Sequence, residues 1–222
     1  MRGIIFINPQ SNVGYHSGDD WDLVMSEKII GTPSVKLKAI SLPDRDGDLD
    51  YTEALRGIPS FGTRALRFTF EYLNDPKEWT MFFTQIRNFL HGQRLKIIEP
   101  DDPSYYYTGR CEVGDPEGNV VKKFVVEVTA DTWKNKIGGE TVRNFVVSSG
   151  QTFTVDNDWK PVVPTIQTNK AIAFVFGDTT YSLDGSGTFK LPRIVLKRGN
   201  NSFNVTSGTN VSLTFTYQEG AI

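Results

Sequence analysis

The sequence predicts a mainly β protein that carries one α-helix and divides into two strand-rich domains. Three observations point there. Most of the chain alternates apolar and polar residues with a period of two, as a strand with one covered face does. One stretch, Asn74 to Leu95, breaks that rule and repeats at three- and four-residue steps. Beyond residue 150 charges thin out, and threonine, serine, asparagine and glycine take over between short apolar runs. The domains are accordingly expected at 1–140, with the helix near 75–91, and at 141–222.

In chain order, Gly3 to Ile7 reads as a short strand ended by Asn8-Pro9, and residues 8–20 are polar and turn-rich. Trp21 to Ile30 and Ser34 to Leu42 read as extended segments separated by Gly31-Thr32-Pro33. In the second, Val35, Leu37 and Ala39 share one face and Lys36 and Lys38 the other. Residues 43–62 (PDRDGDLDYTEALRGIPSFG) hold neither period. So long an irregular stretch in a compact domain is usually functional or reaches elsewhere, and it is expected to form an arm. Thr63 to Leu73 alternates cleanly, with Leu66, Phe68, Phe70 and Tyr72 on one face.

In the helix, Trp79, Phe82, Phe83, Ile86, Phe89 and Leu90 fall on one face. Asp75 suits the N-cap, Pro76 the first helical position, and Glu78 would complete a capping box. Gly92 suits the left-handed residue that ends a helix. A cap is worth about 1 kcal/mol, whereas each large apolar side chain is worth roughly 1.5–3 kcal/mol when buried. The helix therefore depends on being covered, and the neighbouring strands are what can cover it.

Leu95 to Ile98 follows, then a turn at Asp101-Asp102-Pro103. Tyr105 to Val113 and Val120 to Trp133 are expected to pair as a hairpin around residues 114–119. Residues 134–150 read as a connection in which Val142 to Val147 can pair as a strand. The rest offers short strands at Thr152–Val155, Thr165–Gln167, Ala171–Phe176, Thr179–Leu183, Gly187–Leu191, Ile194–Leu196, Ser202–Val205 and Val211–Tyr217. Their even spacing argues for a small antiparallel sandwich.

The totals exclude several functions. With 24 basic and 26 acidic residues the net charge is −2, so nothing asks for nucleic acid or an anionic membrane. One cysteine, Cys111, cannot build a disulfide framework and suits folding in a reducing cytoplasm. Ile4 to Ile7 is too short for a signal-peptide core or a membrane span.

Individual constellations point the same way. The run Asp44, Asp46, Asp48, Asp50 has oxygen ligands at alternate positions, as a calcium loop does. A calcium loop starting at Asp44 would need glycine and glutamate where Leu49 and Leu55 stand. His16 and His91 lie far apart without a patterned nucleophile, and His91 is placed to cap the helix. No phosphate-binding, dinucleotide-binding, nucleophile-elbow or zinc-protease motif occurs. Tyr105, Tyr106 and Tyr107, and the tryptophans at 21, 79, 133 and 159, are expected in cores or subunit contacts. Cys111 keeps register with Tyr105, Tyr107 and Gly109 and is expected to be a buried small hydrophobe. No catalytic, cofactor-binding or metal-binding residue is nominated, and the chain is not expected to be an enzyme.

Three stretches together resemble the distal tail proteins of long-tailed bacteriophages that infect Gram-positive bacteria. The first is Leu42-Pro43-Asp44-Arg45-Asp46-Gly47-Asp48, running on to Arg64-Ala65-Leu66-Arg67-Phe68; the family commonly has PGRDG where this chain has Asp44 in place of the glycine. The second is Trp79 through Leu90-His91-Gly92, then Leu95-Lys96-Ile97-Ile98 and residues 101–110. The third runs from Tyr181-Ser182-Leu183 through Leu191-Pro192 and Gly199-Asn200-Asn201 to residues 214–220. Their order and spacing carry the resemblance.

It implies an N-terminal split β-barrel with one helix and a C-terminal galectin-like β-sandwich. It also implies a virion structural protein at the tail tip, made in the host bacterial cytoplasm. Six copies would form a homo-hexameric ring. The ring would join the major tail-tube protein to the tail-associated tip protein, with receptor-binding proteins as further partners. The competing reading is a carbohydrate-binding β-sandwich protein that contacts the host cell wall.

Overall fold

The computed structural model describes residues 3–44, 46–54, 57–74 and 77–222. The chain divides into two compact units, Met1–Lys134 and Asn135–Ile222. Each has its own hydrophobic core.

Unit 1 contains β1 (Ile5–Ile7), β2 (Gly14–His16), β3 (Leu23–Ile30), β4 (Ala39–Ser41), β5 (Asp48–Asp50) and β6 (Arg64–Tyr72). After these come α1 (Trp79–Leu90), β7 (Arg94–Ile98), β8 (Tyr105–Val113) and β9 (Lys122–Ala130). Seven strands follow one another antiparallel in the order β2-β1-β7-β8-β9-β6-β3. The two ends of this path are brought together. Leu23 at the start of β3 donates its N–H to Ser17 O just beyond β2, at 2.9 Å. Farther along β3, Lys28 Nζ reaches Glu99 and Asp101, just past β7, at 2.7 and 2.5 Å. The sheet therefore curls toward a barrel, and Lys28 pins its last strand across the seam. Those two carboxylates raise the Lys28 pKa against the opposing effect of burial, which is the largest single contribution.

The helix is where its period places it, over a shorter span. It begins at Trp79, with Glu78 in the N-cap position and no side-chain cap bond. The expected cap residues Asp75 and Pro76 lie outside the described residues. Trp79, Phe83, Ile86 and Leu90 are buried, and Phe82 and Phe89 pack against the same core half-covered. Trp79 stacks on Phe83 at 4.9 Å and meets Tyr72 at 5.2 Å and Phe124 at 5.9 Å. Gly92 takes φ +73° just past the helix, the left-handed conformation expected of it. His91 is the C-cap, and its Nδ1 accepts the Val113 N–H at 3.1 Å. The ring thus accepts a hydrogen bond that ties the helix end to β8.

Unit 2 is a two-sheet sandwich. Its strands are β11 (Thr141–Val147), β12 (Thr152–Asn157), β13 (Thr165–Thr168), β14 (Ile172–Phe176), β15 (Thr179–Leu183), β16 (Gly187–Lys190), β17 (Gly199–Ser207) and β18 (Val211–Tyr217). One sheet runs β11-β18-β13-β16 and the other β12-β17-β14-β15. Inward residues alternate with polar outward ones, as two facing sheets require. Phe153, Phe174, Phe203 and Phe215 form the aromatic centre, with Phe153 stacked on Phe203 at 5.1 Å and 9°. Arg143 of β11 grips Asp156 of β12 with two bonds of 3.0 Å. That guanidinium holds the Asp156 carboxyl below the usual range.

Three expectations need correction. Residues 134–150 are not a plain connection: they hold β10 (Lys134–Lys136) as well as β11. Asn135 to Lys136 goes with unit 2, where the Lys136 N–H bonds Glu219 O at 3.0 Å and β10 pairs with β19 (Gly220–Ala221). Ile194–Leu196 makes only an isolated bridge, Val162 to Leu196, although Ile194 and Leu196 are fully buried. Within Ser34–Leu42 only β4 is a strand, and its apolar face is not covered within the described residues of the chain.

Cys111 is 1% exposed in the unit 1 core, as its register on β8 predicts. Burial pushes its thiol from an ordinary 9.0 up to about 12. A raised pKa means that stability is complete below the unfolded value and is lost as pH climbs toward the folded one. Unit 1 is therefore expected to weaken between pH 9.0 and about 12, and Cys111→Ala should flatten that part of a stability–pH profile measured by urea unfolding. A thiol reagent should find no reactive group in the native protein at neutral pH and one equivalent in denaturant.

Candidate assembly surface

Residues 31–63 connect β3 and β6, antiparallel strands that pair with each other, so the described residues of this stretch extend from the end of that strand pair. Its base is stitched at successive levels. Gly31 N–H bonds Ala65 O, Gly62 N–H bonds Ser34 O and Lys36 N–H bonds Ser60 O, each at 2.8 Å, around the bridge of Val35 with Phe61. Farther out, Lys38 N–H bonds Thr52 Oγ1 at 2.8 Å and Tyr51 N–H bonds Lys38 O at 2.9 Å. The tip is the β4–β5 hairpin, with Ile40 opposite Leu49 and Ser41 opposite Asp48. Asp44 at φ +63° and Gly47 at φ +76° turn the chain back, both in the left-handed region that aspartate tolerates and glycine favours. The stretch expected to lack a strand period thus contains β5. Short three-residue strands give too few alternations for a period to register.

Five of the arm's described apolar side chains are exposed. Leu37 is 73% exposed, and Val35, Ile40, Leu42 and Leu49 lie between 39% and 48%. Val35, Leu37, Ala54, Pro59 and Phe61 line a groove of ≈ 720 Å³ along it. A two-stranded hairpin alone is marginal in water, and clustered exposed apolar side chains mark a contact surface. The aspartates sit on the same tip, but they do not gather as ligands. Asp50 Oδ1 accepts the Thr52 N–H at 2.9 Å, and that hydroxyl and N–H keep its pKa below the ordinary value. Among the described residues no three metal-ligating side chains converge anywhere.

A second groove, of ≈ 820 Å³, lies on the outer face of the unit 1 sheet. Arg67, Arg94, Arg110, Glu112, Glu127 and Asp131 line it. Arg94 pairs with Asp131 at 2.5 Å, and Arg110 donates to Gly92 O at 2.6 Å. Glu112 stands directly opposite Glu127, an unfavourable like-charge pair, with Arg67 opposite Glu127 on the other side. The six charges come from four strands and the loop after β9, so no local pattern in the sequence marks the groove.

The remaining aromatic candidates divide between core and surface. Tyr107 is buried under the Arg64 guanidinium, while Tyr105 and Tyr106 are half-buried beneath Lys134 and Lys96. Trp21 stacks on Phe6 and Tyr15, and Trp133 meets Phe61 at the arm's base. Trp159 is the exception, half-exposed with Arg198 stacked on it. His16 spends its Nδ1 on the Asp19 N–H at 2.9 Å within a local turn.

No protein-family model matches the sequence, and no curated protein matches it. Solved structures do match. One is the Dit protein of phage SPP1, described as a paradigm of the hub adsorption apparatus in phages infecting Gram-positive bacteria. The superposition has a TM-score of 0.67 and covers 98% of this chain and 99% of that one, at 16% identity. The chain therefore has the fold of that phage hub protein from end to end.

Proposed function

We propose that this chain is a structural component of a phage tail tip: a distal tail hub that closes into a ring. The observation that carries the reading is the likeness of fold to a phage adsorption hub across both units, rather than across one common sandwich. The number of copies, six, and the neighbours follow from the resemblance in the sequence. On that reading one face of the ring meets the tail tube and the other the tip proteins, and the work is assembly rather than catalysis.

The arm supports the same reading. A ring built from identical copies needs heterologous contacts, in which one surface of each subunit meets a different surface of the next. An arm held off the body with its apolar residues exposed suits that need. The arm is assigned to the neighbouring subunit. Full-length protein mixed with its tail-tube neighbour should run as a ring by light scattering and in micrographs. A variant lacking Asp44 to Arg56 should fold but stay below ring size. Rings of full mass from the shortened chain would overturn the arm's role, and a full-length chain that stays monomeric beside the tube protein would overturn the ring.

A further inference from the structure

The outer groove of unit 1 holds two like-charge pairs that the fold of one chain only partly relieves. Arg94 on β7 stands directly opposite Arg110 on β8, and Glu112 on β8 directly opposite Glu127 on β9. Like charges so placed are destabilising. Asp131 pairs with Arg94, but Arg110 reaches only the Gly92 carbonyl, and Glu112 forms no ion pair among the described residues. The groove runs on into a smaller recess of ≈ 260 Å³, which shares Gly92, Arg94 and Arg110 with it. Asn8, Gln10, Gln93 and Thr108 also line that recess, and no carboxylate does. Two guanidinium forks among neutral hydrogen-bonding groups suit carboxylates as partners.

A charge surplus of the opposite sign sits at the tip of the arm. Residues 44–53 have five acids, Asp44, Asp46, Asp48, Asp50 and Glu53, against one cation, Arg45. All five acids are exposed, and none forms an ion pair among the described residues. Asp48 and Asp50 share one face of β5. Asp50 lines the arm's own groove together with Val35 and Leu37, so that side of the arm is apolar toward its base and acidic toward its tip. The outer groove is graded in the same sense. Ile29, 48% exposed, lies at its β3 side beside Gly31 and Thr63, and the two arginines lie at its far side on β7 and β8. The arm's tip is exposed in this chain, so it does not fill its own groove.

We propose that the outer groove receives the arm of a second copy of this chain, with the acidic tip on Arg94 and Arg110 and the apolar part of the arm toward Ile29. Charge complementarity selects a second copy as the occupant. One chain has both halves of the contact on different surfaces, which is what head-to-tail assembly needs. Glu112 and Glu127 set the direction. An acidic tip that stopped beside them would be repelled, so it settles past them on the arginines. The contact rests on the ring proposed above and adds to it the surface that receives the arm.

The test exchanges charge between the two surfaces in full-length protein, beside the tail-tube neighbour, with assembly read by light scattering and folding by thermal unfolding. Asp46→Lys with Asp48→Lys, which keeps the Asp50–Thr52 bond, should raise the concentration needed for rings on the order of tenfold or more, and so should Arg94→Glu with Arg110→Glu. Mixed in equal amounts, the two variants should form rings again, because each arm then meets a groove of opposite charge. A ring of six closes by alternating the two chains. Asp48→Lys and Arg110→Glu repeat the exchange with one charge on each chain and keep the Arg94–Asp131 pair, so the result stands even if a double variant fails to fold. Lys190→Glu with Lys197→Glu, the same change of charge in unit 2, should assemble as the parent does. Rings from the folded variants alone at the parent's concentration, or a mixture of folded variants that stays unassembled, would overturn the contact and leave the ring standing. A parent chain that stays monomeric beside the tube protein would overturn the ring, and this contact with it.

Discussion

Trp79→Ala is expected to destabilise unit 1 by about 3–5 kcal/mol, the usual cost of deleting a large buried aromatic. Trp79 sits at the first turn of α1 and touches the helix's own Phe83 and Phe82 as well as Tyr72 of β6 and Phe124 of β9. No side-chain cap holds that end, so packing is what fixes the start of the helix, and removing it should fray the first turn as well. Urea unfolding followed by tryptophan fluorescence and far-ultraviolet circular dichroism measures the loss. Phe82→Ala, half-exposed on the same helix, supplies the comparison and should cost clearly less. Equal effects would mean that the buried face is not what anchors the helix.

Gly109→Ala is expected to be severe for a different reason. A Cβ there would stand 2.5 Å from Val128 Cγ1, 2.8 Å from Ala130 Cα and 2.9 Å from Thr129 O. Two of those three atoms are backbone and cannot swing aside. Gly109 pairs with Ala130 on β9 and with Leu95 on β7, so a shift would be felt in three strands. Overpacking of this kind usually costs about 1–3 kcal/mol, and contact with fixed backbone places it at the upper end. Adding Val128→Ala removes only the side-chain clash and should recover a minor part. Full recovery by that second change, measured by thermal unfolding, would show that the backbone approach is not limiting.

The pair of results bears on how the fold is encoded. The covered face of α1 and the inward face of β6 were readable because large apolar residues repeat at the period of their element. The strands of unit 2 were readable because turn residues punctuate them regularly. The arm shows the limit. Val35, Leu37 and Ala39 alternate as a covered strand does, yet Leu37 is 73% exposed. Alternation says that one side of a strand is apolar; it does not say what covers that side.

Resemblance in three stretches was enough to anticipate a fold that the solved phage hub shares over nearly its whole length. The grooves were less accessible to the sequence. In the outer groove, Arg67, Glu112 and Glu127 come from different strands, and only antiparallel register makes them neighbours. The loops that meet at the Val162–Leu196 bridge are bonded through Asn157 and Asn201, two buried amides that look in sequence like ordinary turn residues.

The sequence by itself determined the fold class, the helix α1 and its buried face, the buried Cys111 and the position of the arm. These are local properties, set by spacing along the chain and by which side chains leave water. Tertiary structure alone decided the partners. It joined Lys28 to Glu99 and Asp101, opposed Glu112 to Glu127, and set Arg198 on Trp159. Such pairs are fixed by strand order and register, which depend on the packing of the whole sheet and leave no periodic mark in the residues that meet.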